Sequence, residues 1–167
     1  MQEIFKRRSV RKFLPQPVEQ EKIYRLLAAA MQAPSAGNAQ AWEFIVVAEA
    51  AAKARIVQVH PYAQCVTQAP VAIVVCAATE RERFEARYLA QNCAAAVENI
   101  LLEAQHLGLG GVWLGVYPEQ ERIEGLRQIF AIPASALPFA VVAVGYPAAK
   151  PAAQNRFDEA KIHWEHW

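Results

Sequence analysis

Apolar positions along this chain repeat with two periods, and the periods alternate. Over 19–33 (EQEKIYRLLAAAMQA), Ile23, Leu26, Leu27 and Ala30 stand at i, i+3, i+4 and i+7, the stripe of an amphipathic helix. Pro17 lies just upstream and Pro34 stops the run. Residues 42–48 (WEFIVVA) are β-branched and aromatic, and predict a strand. A helix is expected over 49–59. After Pro70, VAIVVCA is an unbroken apolar run, as in a strand covered on both faces. The longest periodic segment is 85–107, with Leu89, Cys93, Val97, Ile100, Leu101, Ala104 and Leu107 on one stripe. Ala94, Ala95 and Ala96 leave part of its surface small enough for another helix to approach closely. Gly108 ends it. A strand at 112–116, a helix at 118–130 and a strand at 139–146 complete the series. No repeat is visible, and the order is not a clean β-α-β alternation. An α+β architecture follows, a mixed sandwich with helices around one central sheet.

A length of 167 residues suits one domain, and 54% apolar with 20% charged residues is a globular balance. A net charge of +1 argues against a dedicated nucleic-acid binder. Cys65, Cys76 and Cys93 are odd in number, widely spaced and without a C-x-x-C pair, so they read as buried small hydrophobes of a cytoplasmic protein. The N-terminus has no apolar core of a secretory signal, and no run reaches the ~20 apolar residues of a membrane span. From Pro147 the chain is Pro- and Ala-rich, then polar and aromatic, ending in HWEHW. His163 and His166 invite a metal reading, but a terminal segment is the better one, and no metal is expected. Trp164 and Trp167 are expected to pack on a partner.

Three segments carry candidate chemistry. KRRSVRKF at 6–13 holds five cations in eight residues of a nearly neutral chain. Arg7, Arg8 and Arg11 are guanidinium forks that match phosphate oxygens, and Ser9 adds a hydroxyl. Ile4, Phe5 and Phe13 flank them with core-type residues, so a free arm is disfavoured against a solvated face or an anion site. Lys150 and Arg156 would join that site if the tail returns to it. APSAGNAQAW at 33–42 is an αβ loop rich in turn formers, and Ser35, Asn38 and Gln40 offer neutral donors and acceptors that suit a heterocycle's edge. HLGLGGVWLG at 106–115 fails as a dinucleotide fingerprint. Trp113 stands where the third glycine belongs, and the helix precedes the glycines. Its glycines read either as a helix cap and turn or as places where backbone approaches a flat ligand.

In their order along the chain, RRSVRKF, PSAGNAQAW, GLGGVWLG and VVAVGYP resemble the FMN-dependent nitroreductase family over nearly the whole length. The resemblance implies a mostly antiparallel central sheet flanked by helices. It also implies a homodimer with FMN at the subunit interface, and the segment 147–167 packing on the partner. Arg7, Arg8, Ser9 and Arg11 would hold the phosphate, ribityl chain and pyrimidine edge. Pro34, Ser35, Ala36 and Asn38 would approach from the other subunit. Trp113, Leu114 and Gly115 would run along the ring, Arg156 would complete the phosphate site, and Gln64 would stand near the ring's polar edge. The family often has Ser at Ala36, Pro at Ala41 and a further base near Gln154 and Asn155. The implied activity takes electrons from NADPH or NADH to a nitroaromatic, quinone or similar acceptor by a ping-pong route, with no catalytic side chain beyond the flavin. A non-catalytic flavin-binding protein, or a related enzyme of flavin destruction or dehalogenation, would show the same motifs. The charge of KRRSVRKF is expected to be neutralised by phosphate rather than by nearby acids.

Overall fold

A computed structural model describes residues 2–81, 83–149, 151–152 and 154–167. Five α-helices lie in it: α1 (Glu3–Lys6), α2 (Gln20–Met31), α3 (Ala50–Val59), α4 (Leu89–His106) and α5 (Gln120–Phe130). The strands are β1 (Trp42–Val47), β2 (Val71–Ala78), β3 (Arg83–Ala86), β4 (Gly110–Gly115) and β5 (Ala136–Gly145). Four of them form one antiparallel sheet in the order β1-β2-β5-β4. The expected sandwich around a central antiparallel sheet is therefore what the chain adopts.

Strand alternation divides the core in two. Along β2, Ala72, Val74 and Cys76 face one apolar cluster, together with Ile56 of α3 and Leu126 of α5. Val71, Ile73, Val75 and Ala77 face the other, with Leu26 and Ala30 of α2 and the stripe of α4. Every residue of β2 is buried, as expected of a strand with helices on both faces. Cys65, Cys76 and Cys93 are free and buried. Burial pushes the Cys76 thiol up to about 12, with Arg127 pulling weakly the other way, so it is an inert core residue.

Several boundaries differ from the sequence reading, among them the start of α5, which is Gln120 rather than Pro118. The segment at 85–107 starts its helix only at Leu89, and Arg83–Ala86 is a strand. β5 begins at Ala136 and runs through Pro138, where pairing with β2 shifts from Val75↔Ala140 to Cys76↔Pro138. A bulge tolerates a residue without a donor, so Pro138 does not end the strand. β4 starts at Gly110, because Gly110 and Gly111 already pair with Gly145 and Val144.

Candidate functional site

The basic opening is held on the body of the protein. After α1 the chain is extended. Ser9 bridges to Gly111 in parallel, the Val10 N–H donates to the Gly111 carbonyl (3.0 Å), and Phe13 bridges to Pro147. Val10 and Phe13 are buried, which pins the segment between them, while Ser9 and Arg11 are exposed. The tail does return here. The Ala148 N–H donates to the Lys12 carbonyl (3.0 Å), and Arg8 donates to the Gln154 carbonyl (2.9 Å).

Arg7, Arg8 and Arg156 share the lining of one cavity of about 640 Å³, with Asn155 and Phe157. Arg8 spends one terminal nitrogen on the carbonyls of Phe5 and Arg7, at 2.9 and 2.6 Å. Its Nε is buried and has no hydrogen-bond partner among the described residues. Arg7 Nε lies 3.2 Å from a carboxylate oxygen of Glu98 on α4. This corrects the expectation that no nearby acid neutralises the cluster: Arg7 has a partner, placed by tertiary packing from a residue ninety-one positions away. Ser9 and Arg11 lie apart from that cavity, beside a smaller recess of about 200 Å³ shared with Lys12. Arg11 is close enough to Cys65 for its charge to act on the thiol, against the dominant upward push of burial. Gln64 opens the short 3₁₀ turn Gln64–Thr67 that contains Cys65, and it is exposed. Lys150 lies outside the described residues.

The loop between α2 and β1 is a built structure. Asn92 of α4 is buried, and its Oδ1 accepts from the Ala36 N–H at 2.9 Å. The Ser35 hydroxyl accepts from the Gln40 N–H at 3.0 Å, so it is engaged in shaping the loop it was expected to offer to a ligand. Gly37, Asn38 and Gln40 all have positive φ, a tight left-handed path that leaves Pro34 and Asn38 exposed. No cavity described above contains residues of this loop. Along α4 it is anchored at Asn92 and Arg7 at Glu98, six residues or about 9 Å away.

The glycines of 108–115 divide between the two readings. Gly108 caps α4 with φ +73°. A Cβ on Gly110 would stand 2.6 Å from Val10, and one on Gly111 3.0 Å from Leu101, so these two make room for protein. Gly115 has nothing within 4 Å of its Cβ direction. β4 is an edge strand, and the Gly111 and Gly115 carbonyls both bond to groups outside the sheet. Alternation then puts the N–H and C=O of Gly111, Trp113 and Gly115 on the outer side. Leu114 points its side chain into the core, and Trp113 packs on Phe139 at a centroid distance of 5.6 Å.

Sequence reasoning missed Asn92, Glu98 and His60. His60, immediately after α3, is 1% exposed, with Nε2 at 2.8 Å from the Gly115 carbonyl. Burial lowers its proton affinity, the Gly115 contact opposes that, and Arg122 reinforces it. Lys53 is likewise buried on α3, and donates to the Ala69 carbonyl at 2.5 Å.

The molecule thus carries two groups of donors: the outward amides at the end of β4, and the guanidinium groups of Arg7, Arg8 and Arg156 that line one cavity. Such donors fit a ligand that is anionic at one end and rich in acceptors at the other. The nitroreductase family model matches residues 4–60 and 57–146. A Methanothermobacter thermautotrophicus protein, provisionally named NADH dehydrogenase/NAD(P)H nitroreductase, is 45% identical over 161 residues, covering 96% of this chain and 84% of its own. The structure of an FMN-dependent nitroreductase from Clostridium difficile superposes with a TM-score of 0.91 at 28% identity, covering 99% of this chain and 98% of that one. A provisionally named nitroreductase from Desulfovibrio desulfuricans, solved in complex with FMN, gives 0.85 at 30% identity over 99% and 96%. Matched in sequence over most of its length and in fold over nearly all of it, this chain belongs to the nitroreductase family.

Proposed function

We infer that this protein is an FMN-dependent oxidoreductase that carries electrons from NADH or NADPH to a small acceptor, a nitroaromatic or a quinone, in two half-reactions at one place. The observation that carries the reading is the convergence of Arg7, Arg8 and Arg156 on one cavity. Arg7, Arg8 and Arg156 bind phosphate. Ser9 and Arg11 hold the ribityl chain and pyrimidine edge, with Gln64 near the same edge. The outward amides of Trp113 and Gly115 donate to the ring, and Leu114 anchors that strand in the core. When bound, FMN supplies the hydride-accepting and electron-passing chemistry. The chain supplies position and positive potential, and guanidinium groups offset negative charge on the cofactor.

The site is completed by a second copy of the chain. Within one chain the loop carrying Pro34, Ser35, Ala36 and Asn38 stands apart from the arginine cavity, which supports a homodimer in which each loop serves the partner's flavin. Exposed aromatics in the tail support the same assembly: Phe157 is 73% exposed, Trp164 81% and Trp167 102%. Side chains of that size normally find a surface to cover.

The test is the visible spectrum of the purified protein, supplemented with FMN and then with NADH or NADPH without air. A flavin spectrum that bleaches, and recovers with a quinone or nitroaromatic, is the expected result. A bound flavin that no nicotinamide bleaches would make this a binding protein, and failure to bind FMN would overturn the reading.

A further inference from the structure

Two side chains from different elements converge on one backbone oxygen at the end of β4. His60 Nε2 stands 2.8 Å from the Gly115 carbonyl. Arg122, in the first turn of α5, donates to the same oxygen at 2.9 Å. The Tyr62 backbone N–H donates to His60 Nδ1 at 3.3 Å. An amide N–H can only donate, so Nδ1 is the acceptor and the ring's proton sits on Nε2. His60 is thereby a neutral donor of fixed orientation, buried to 1% exposure. The Arg122 guanidinium lies over the Tyr62 ring, 5.5 Å from its centroid, which holds the second arm in place.

The clamp acts on the part of β4 that lacks a neighbouring strand. The first residues of β4 are covered by the Ser9–Val10 segment, whereas at Gly115 the direction a Cβ would take is open. In an extended strand the N–H and C=O of one residue point to the same side. With β4 kept extended by its pairing to β5, the Gly115 N–H lies on the same side as the held carbonyl. The Trp113 amide, two residues earlier, points to the same side. Without those donors the strand end is held only on its inner side, by β5 and by the Val116 N–H on the Phe139 carbonyl (3.1 Å), and amide bonds to a ligand on the outer side weaken steeply with misalignment.

We propose that His60 is a positioning residue, with Arg122 as its second arm: through the Gly115 carbonyl it sets where the last outward amides of β4 stand against the flavin ring. This rests on the FMN reading above.

The experiment titrates apoprotein with FMN and follows flavin fluorescence for wild type, His60→Gln, His60→Asn and His60→Ala. Glutamine places an N–H near the position of Nε2, asparagine reaches only as far as Nδ1, and alanine has neither. The FMN dissociation constant is expected to stay within about twofold of wild type in His60→Gln and to rise about fivefold in the other two, one lost hydrogen bond's worth. The anaerobic midpoint potential of bound flavin should separate the variants in the same grouping. A histidine that only fills space would shift melting temperatures and leave the dissociation constants equal; that result overturns the proposal. If His60→Ala or His60→Asn does not fold, Arg122→Ala reads the second arm: a raised constant supports the clamp, an unchanged one overturns it. A wild-type protein that binds no FMN overturns the reading beneath, whereas wild-type binding with equal constants throughout overturns this inference alone.

Discussion

The two ends of β4 use the same residue for opposite purposes. At the start, Gly110 and Gly111 are glycines because Val10 and Leu101 occupy the space a side chain would need. At the finish, Gly115 has no protein neighbour in that direction, and its carbonyl is gripped by His60 and Arg122. The first pair is explained by packing inside the chain. The last glycine is unexplained by packing, and it stands beside the strand's free outer amides. Glycine in a strand is thus a question about what lies opposite it, and only the neighbours answer it.

The comparison can be broken most sharply from the ligand side. Replacing both Arg7 and Arg11 by alanine should weaken FMN binding at least about 100-fold, since hydrogen bonds to charged groups contribute roughly 1.5–3 kcal/mol each. Titration of the double variant checks this, and an unchanged affinity would remove the basic opening from the site. Gly110→Ala should cost about 2 kcal/mol of stability, because its methyl would stand 2.6 Å from Val10. Urea denaturation measures it, and the parallel bridge at Ser9 should loosen with it. Gly115→Ala should change stability by less than about 0.5 kcal/mol while lowering FMN affinity. Equal effects on both quantities would dissolve the distinction between the two ends.

Acidification provides a subtler test of the finish. Burial holds the His60 proton affinity below its usual 6.5, so in the window at and below that value the unfolded chain takes up a proton that the folded chain resists. Stability from this residue is present above pH 6.5 and falls as pH falls towards the lowered value. Melting curves from pH 7.5 to 5 should therefore show a shallower acid-side decline in His60→Gln than in wild type. Identical slopes would mean that the ring is not held neutral. The smallest stability effect belongs to the tail. Trp164→Ala with Trp167→Ala should leave the melting temperature of the body almost unmoved, because both rings are exposed, while sedimentation shows weaker self-association.

Much of the fold was legible because burial imposes a period on the sequence. The stripe of α4 and the unbroken run of β2 each have one face, or two, that must leave water, and each reads correctly at its centre. The ends read less well. The passage of β5 through Pro138 depends on the shift in its pairing with β2, and no local pattern encodes a partner. The arginines and the small loop residues were legible as chemistry, since forked cations and turn formers are conspicuous in an otherwise apolar chain. The clamp residue His60 was not, because a single buried histidine has no periodic signature.

The sequence by itself determined the two-sided β2, the alternation that splits the core, the concentration of guanidinium groups near the N-terminus and the family resemblance. These are properties of residue type and spacing, and they survive without knowing any long-range contact. Tertiary structure alone decided that Arg7 meets Glu98, that the tail returns to Arg8, that Asn92 holds the Ala36 loop, and that His60 reaches Gly115. Each joins positions far apart in the chain. Hydrogen bonds and ion pairs are short-ranged, so whether two such groups meet depends on the three-dimensional path between them.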